Sequence, residues 1–222
     1  MKEARLAWCN ERKHWTLEDW KNIIFSDETS IILGGVRGKW HVWRKKDKTY
    51  HHHCVVRRWK GKKEFIWWSC FTWDIKEPYH IWEKETVAER KAIEVDLKAR
   101  NAERYESDKA KWELEYAMQR IHITRNQPGP RTTFKHNEDT GAYIVKERQG
   151  GINWYRYQEK VLKPLLLPFA KRCLELRPST IVQEDKAPSH NNRYAQEVFD
   201  AWEIQRLLWP GNSPDLNAIK PT

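Results

Sequence analysis

The sequence predicts an α/β fold carrying a charged helical insertion, and three observations predict it. Apolar, β-prone runs recur at NIIFSDETSIIL (22–33), FIWWSCFTWD (65–74) and STIVQED (179–185). Amphipathic helical patterns flank them at both ends of the chain. Between them, residues 81–121 are dense in Glu, Lys, Arg and Ala and contain neither Gly nor Pro.

The elements follow in order. Thr16 before Leu17, Glu18 and Asp19 is a helix start, a hydroxyl cap followed by acids at the positive end of the helix dipole. In 22–33 the polar Ser26-Asp27-Glu28 divides two apolar triplets, which predicts two strands with Asp27 ending the first. KWHVWRKKDK (39–48) predicts a short strand and then a basic segment, and the aromatic run 65–74 predicts a strand buried on both faces. Residues 81–121 predict one long, largely solvated helix or a helical hairpin. Glu94 with Lys98 and Asp96 with Arg100 stand at ion-pair spacing, and Tyr105, Trp112 and Tyr116 are the candidates for an apolar face. Residues 124–150 are rich in turn formers. NWYRYQEKVLKPLLLPFAKRCLEL predicts two helices broken at Pro164 to Pro168. STIVQED predicts a buried strand ending in Glu184 and Asp185, NNRYAQEVFDAWEI an amphipathic helix, and LLWPGNSPDLNAIK an extended stretch, a turn and a helix start. The domain reading is a connector helix at 1–20 and a catalytic domain at 21–222, interrupted by an insertion at about 76–150 and cut short within its last helix.

The chain of 222 residues carries a formal net charge of +10, which favours a polyanionic partner, nucleic acid first. No apolar run reaches the roughly 20 residues of a membrane helix, and the opening MKEARLAWCNERKHW lacks an apolar signal core. Cys9, Cys54, Cys70 and Cys173 are scattered without a CxxC pair, which argues against a zinc ribbon or a disulfide scaffold and for a reducing compartment. His51, His52, His53 and Cys54 are consecutive, and side chains alternate across a strand, so they make a poor metal set. Basic clusters lie at 44–48 (Lys45, Lys46) and 57–63 (Arg57, Arg58, Lys60, Lys62, Lys63), the second with a Trp interleaved. These are the candidate phosphate contacts. The 14 tryptophans read mainly as core residues.

Asp27 and Asp185 each close a predicted strand. Carboxylates at neighbouring strand ends can share hard cations; Mg²⁺ prefers oxygen ligands and takes one or two protein carboxylates beside substrate phosphates. Two such ions about 3.5–4 Å apart can clamp the attacking and leaving oxygens of a phosphodiester.

The flanking residues sharpen this. WKNIIFSDETS around Asp27 resembles the first acid motif of the mariner-superfamily transposases, IVQEDKAPSH around Asp185 resembles the second, and LLWPGNSPDLNAIKPT resembles the third, SPDLN-x-I-E. VWR (42–44) and WWSCF (67–71) fall in family order, and GINWYRYQ with the charged insertion resembles the filamentous-fungal branch. The resemblance implies an RNase H-like (retroviral-integrase-like) core with a mixed sheet flanked by helices. It further implies Asp27 and Asp185 as ligands of two Mg²⁺ or Mn²⁺ ions, Glu28 and His190 close by, and phosphodiester hydrolysis followed by strand transfer. The expected partner is DNA, both transposon ends and target, in the nucleus, with a homodimer left open and no membrane. Thirty-four residues separate Asp185 from position 220, the family spacing for the third acid, and this sequence has Lys220 there. That leaves two readings: a transposase of degenerate chemistry, or a non-catalytic DNA-binding or protein-interaction remnant of one. Trp68, Ser69 and Lys186 also depart from the family pattern and are expected to load bulk or charge near the site. Asp215 is a candidate surrogate ligand, but the resemblance places it in the SPDLN turn, where it is expected to cap the following helix. The paired helix-turn-helix region that reads transposon ends in relatives is not in this sequence.

Overall fold

A computed structural model describes residues 2–33, 45, 47, 51, 63–121, 133–145, 152–211 and 213–219. Expectations for Lys46, Arg57, Arg58, Lys60, Lys62 and Lys220, and for the strand in 39–48, lie outside the described residues. The chain divides into two compact units, Met1–Glu83 with Lys160–Lys186 and Trp202–Thr222, and Lys84–Glu159 with Ala187–Ala201.

The first unit is built on a four-stranded mixed sheet in the order β3-β2-β1-β4. β1 (Ile23–Leu33) pairs antiparallel with β2 (Lys63–Phe71), which pairs antiparallel with β3 (Lys76–Trp82). β4 (Ile181–Gln183) runs parallel to β1 on its other side. An antiparallel meander with a parallel fourth strand beside its first is the RNase H-like arrangement.

Ile23 and Phe25 meet Trp8, Leu207 and Trp209 in one buried cluster, with Trp15, Trp20, Leu216 and Ile219 packed against it. Trp8 comes from α1 (Lys2–Arg12), and its indole N–H donates to the Leu208 carbonyl at 2.6 Å. The first twenty residues therefore do more than connect: α1 supplies core. α2 (Leu17–Lys21) starts at Thr16 as expected, with Thr16 and Asp19 each bonding the other's backbone N–H. On the opposite sheet face Ile24, Trp68, Cys70 and Val182 are buried, as are Leu166, Leu167, Ala170 and Cys173 along the helix that precedes β4.

Three expectations are corrected here. Asp27 does not end a strand; β1 runs through Ser26-Asp27-Glu28 without a break, because β2 pairs with it from Phe25 to Leu33 and satisfies the backbone of the polar triad. Residues 76–82 belong to the sheet as β3, so the insertion begins later than 76; Pro78 obscured the strand in the sequence, and an edge strand tolerates proline. The proline-rich stretch does not break its helix. α4 (Trp154–Tyr157) continues as a π-helical segment, Gln158–Leu166, that contains Pro164, and then as α5 (Leu167–Leu176) with Pro168 in its first turn. The wider π turn absorbs the N–H that proline lacks.

The second unit centres on α3 (Val87–Ile121), one helix of 35 residues rather than a hairpin. Ile93 and Leu97, one turn apart, are buried with Trp154 and with Tyr194 of α6 (Arg193–Ala201), so the insertion owns a small core. Asp96 and Arg100 form the expected ion pair at 2.7 Å. Tyr105 is 40% exposed, and Trp112 stacks on Tyr116 with a ring separation of 5.2 Å. Phe134 and His136, from the segment 133–145, complete this aromatic row. Asp108 accepts from His136 at 2.9 Å beneath Gly141, which has φ +122°.

Candidate functional site

β1 carries Asp27, and Asp185 lies two residues past the end of β4 rather than closing it. The register of β1 and β4 aligns Phe25 with Gln183, the last pair between the two strands. Asp27 and Asp185 each lie two residues beyond that pair in the sequence, Asp27 within β1 and Asp185 in the segment that follows β4. β4 stops at Gln183 while β1 continues, and Asp27 sits where β1 loses its parallel neighbour.

The junction is fastened from both sides. Ser26 Oγ donates to the Gln183 carbonyl at 2.8 Å, a tie between β1 and β4 just short of the acids. On the other side is the third motif. Pro214–Leu216 forms a single 3-10 turn, and Asn217, 5% exposed, donates through Nδ2 to Asp27 Oδ2 at 3.1 Å and to the Ser26 carbonyl at 3.2 Å. The Glu28 backbone N–H donates to Asp27 Oδ1 at 2.8 Å. Asp27 is 7% exposed, and each of its oxygens accepts a fixed donor. These bonds set its side-chain direction.

The remaining candidates fall as follows. Glu28 follows Asp27 in an unbroken strand, so strand alternation turns it to the other sheet face, where it pairs with Trp68. Trp68 is fully buried on that face, so its bulk fills the core and does not crowd Asp27. Ser69 is the cross-strand partner of Asp27 and shares its face. Lys186 is exposed directly after Asp185, with the Gly211 backbone near its aliphatic stem. His190 belongs to the second unit, where it is buried with its ring 4.1 Å from that of Tyr157. Asp215 is exposed and pairs with Arg5 of α1, and the helix it is expected to cap lies outside the described residues. Lys45 and His51 are exposed, and Lys63 opens β2.

The buried pair formed by Glu184 and Arg206 was not foreseen. Glu184, beside Asp185, is 4% exposed and lies 3.2 Å from the Arg206 guanidinium, and Arg206 bridges the backbone of Val182. The pair holds the chain as it leaves β4. Its sequence signal was the doublet Glu184-Asp185, in which only one acid can face the site. Asn217 could have been found as the amide that closes the SPDLN block of the third motif.

The donor set suits a hard divalent cation in kind, since Asp27 and Asp185 supply carboxylate oxygens. Among the described residues no cluster of three or more His, Cys, Asp or Glu side chains could hold a metal. No described helix is long and apolar enough to cross a membrane.

No family model matches the chain. It is 23% identical over 221 residues to the transposable element Tcb2 transposase of Caenorhabditis briggsae, covering 98% of this chain and 55% of that protein. It is 20% identical to the Tcb1 transposase of the same organism, covering 99% and 55%. The chain spans about half the length of these curated relatives. Similar solved structures include a Mos1 transposase paired-end complex with the left transposon end, at 17% identity and TM-score 0.47, covering 95% of this chain and 41% of that one. Others are the Mos1 mariner paired-end complex with Mn, at 14% identity and TM-score 0.48, covering 96% and 42%, and the Mos1 catalytic domain with raltegravir and Mg, at 14% and 0.41, covering 95% and 60%.

Proposed function

We propose that this chain, a homologue of the mariner and Tc1 transposases, is the catalytic domain of a cut-and-paste DNA transposase whose chemistry is weakened by Lys220. One observation carries the reading: an asparagine of the third motif is bonded to the acid of the first, beside the strand end that leads to the acid of the second. This bond between the first and third motifs, beside the strand that leads into the second, supports a shared site.

In this reading Asp27 and Asp185 hold a divalent ion, Mg²⁺ or Mn²⁺, with two ions in active relatives. The ion supplies Lewis-acid polarisation of the scissile phosphate. The chain's own work is orientation. Asn217 and the Glu28 N–H fix the Asp27 carboxylate, the Ser26–Gln183 tie holds the strands in register, and Glu184 with Arg206 steers the chain after β4. Lys220 follows Asn217 by three residues in the sequence and stands where the family places its third carboxylate. An ammonium has no lone pair to offer a metal and brings a like charge. The basic run Arg57 to Lys63 supplies phosphate contacts, and the protein works in the nucleus. Membership of the filamentous-fungal branch is part of the proposal and rests on GINWYRYQ and the charged insertion.

The test is a nicking and binding assay on the purified chain with supercoiled and linear DNA in Mg²⁺ or Mn²⁺. Binding should occur and fall steeply with salt, as counterion release requires, while nicking stays at or near background. Efficient metal-dependent nicking abolished by Asp185→Ala would overturn the impairment. Failure to bind DNA at low salt would overturn the DNA-directed reading itself.

A further inference from the structure

The aromatic run in β2 does not lie buried on both faces. It alternates: Trp68 is 0% exposed, whereas its neighbour Trp67 is 40% exposed. The register pairs Thr29 with Trp67 and Trp67 with Ile81, while Asp27 pairs with Ser69 and Ser69 with Tyr79. Strand alternation therefore puts Asp27, Thr29, Trp67, Ser69, Tyr79 and Ile81 on one face. Tyr79 is 63% and Ile81 50% exposed. Trp67 and Tyr79 meet edge to face with ring centroids 5.9 Å apart, an arrangement that uses the face of one ring only. Trp67 is thus a diagonal cross-strand neighbour of the first acid, within reach of a large ring.

A sheet face with three exposed apolar side chains in contact order is a surface built to be covered. The charge of the chain selects the occupant. The net charge is +10, and the basic run Arg57 to Lys63 leads directly into the strand that carries Trp67. That combination suits a polyanion bearing aromatic rings. Addition of a protein strand along β3 is disfavoured, because Pro78 removes a donor from that edge. Base pairs inside a duplex offer no free ring face, whereas an unpaired nucleotide does.

We infer that Trp67 and Tyr79 form a stacking platform for an unpaired base of the DNA strand whose phosphate lies at Asp27. This rests on the DNA-directed reading above and adds to it the form of nucleic acid at the site: locally unpaired DNA rather than intact duplex.

The test is fluorescence anisotropy with three labelled probes: a short single-stranded oligonucleotide, the same strand made abasic at every position, and a blunt duplex. Trp67→Ala and Tyr79→Ala should each weaken binding of the single strand roughly fivefold to a hundredfold per stack lost. Binding of the abasic strand and of the duplex should be unchanged, and Trp67→Phe should keep most of the affinity. Equal losses on all three probes, or none, would overturn the platform while leaving DNA binding standing. If the unaltered chain binds none of the probes, the platform and the DNA-directed reading both fall. If Trp67→Ala abolishes self-association in sedimentation yet leaves single-strand affinity intact, the face is an interface between copies and the inference is wrong. Both rings are exposed, so neither substitution opens the core, and Trp67→Phe controls for folding.

Discussion

Asn217 Nδ2 lies 3.1 Å from Asp27 Oδ2, a hydrogen bond between residues 190 positions apart that ties the third motif to the first. Asn217→Ala removes the donor from two buried acceptors, Asp27 Oδ2 and the Ser26 carbonyl. Losing a hydrogen bond to a buried group costs about 1–3 kcal/mol. Urea denaturation should show a loss of that size. Any affinity for Mn²⁺ should fall as well, since Asp27 then loses one of the donors that orient its carboxylate.

Lys220→Glu should strengthen Mg²⁺ or Mn²⁺ binding measured by calorimetry. The change alters local charge by two units. One unit charge ~4 Å from a cation contributes roughly 4 kcal/mol at an effective dielectric near 20. Lys can swing its head away, which reduces the effect, yet ~1.4 kcal/mol is already tenfold. The gain should vanish when Asp27→Asn or Asp185→Asn is added.

Neighbouring tryptophans should behave in opposite ways. Trp68 is 0% exposed, and Trp68→Ala should cost ~3–5 kcal/mol in chemical denaturation. Trp67→Ala, one residue earlier on the open face, should change stability by less than about 1 kcal/mol. Comparable losses at both positions would mean that the outer face is packed.

Gly141→Ala should detach the segment 133–145 from α3. Gly141 has φ +122°, and a Cβ there would stand 2.2 Å from Asp108 Oδ2. Both strain and clash act, at ~1–3 kcal/mol for the backbone alone. Hydrogen exchange should quicken at Ala142 and Tyr143. Adding Asp108→Ala removes the clash but leaves the strain, so the two losses should not add.

Alkaline pH should loosen the second unit through Tyr155. Burial first, and then the hydrogen bond to Asp96, push its phenol up to about 12 from an ordinary 10. A raised folded-state value stabilises below the unfolded one, so this contribution is full below pH 10 and is lost as pH rises through about 12. Melting temperature followed from pH 9 to 12 should fall less steeply in Tyr155→Phe than in the unaltered chain.

The sequence by itself determined the two acids, the order of the three motifs and the substitution at Lys220, because each is carried by contiguous residues. It determined the capping of α2 by Thr16 and the Asp96–Arg100 pair for the same reason, since both are local contacts. It misjudged β1, where a polar triplet looks like a strand end and only the pairing with β2 shows otherwise. It missed β3, because Pro78 reads as a breaker until the strand is known to lie at an edge. The aromatic run in β2 read as buried because composition cannot say which face of a sheet is covered; packing around Trp68 left Trp67 open. The bond from Asn217 to Asp27 was likewise decided only by tertiary structure, since no local rule joins an amide near the chain's end to a carboxylate near its start.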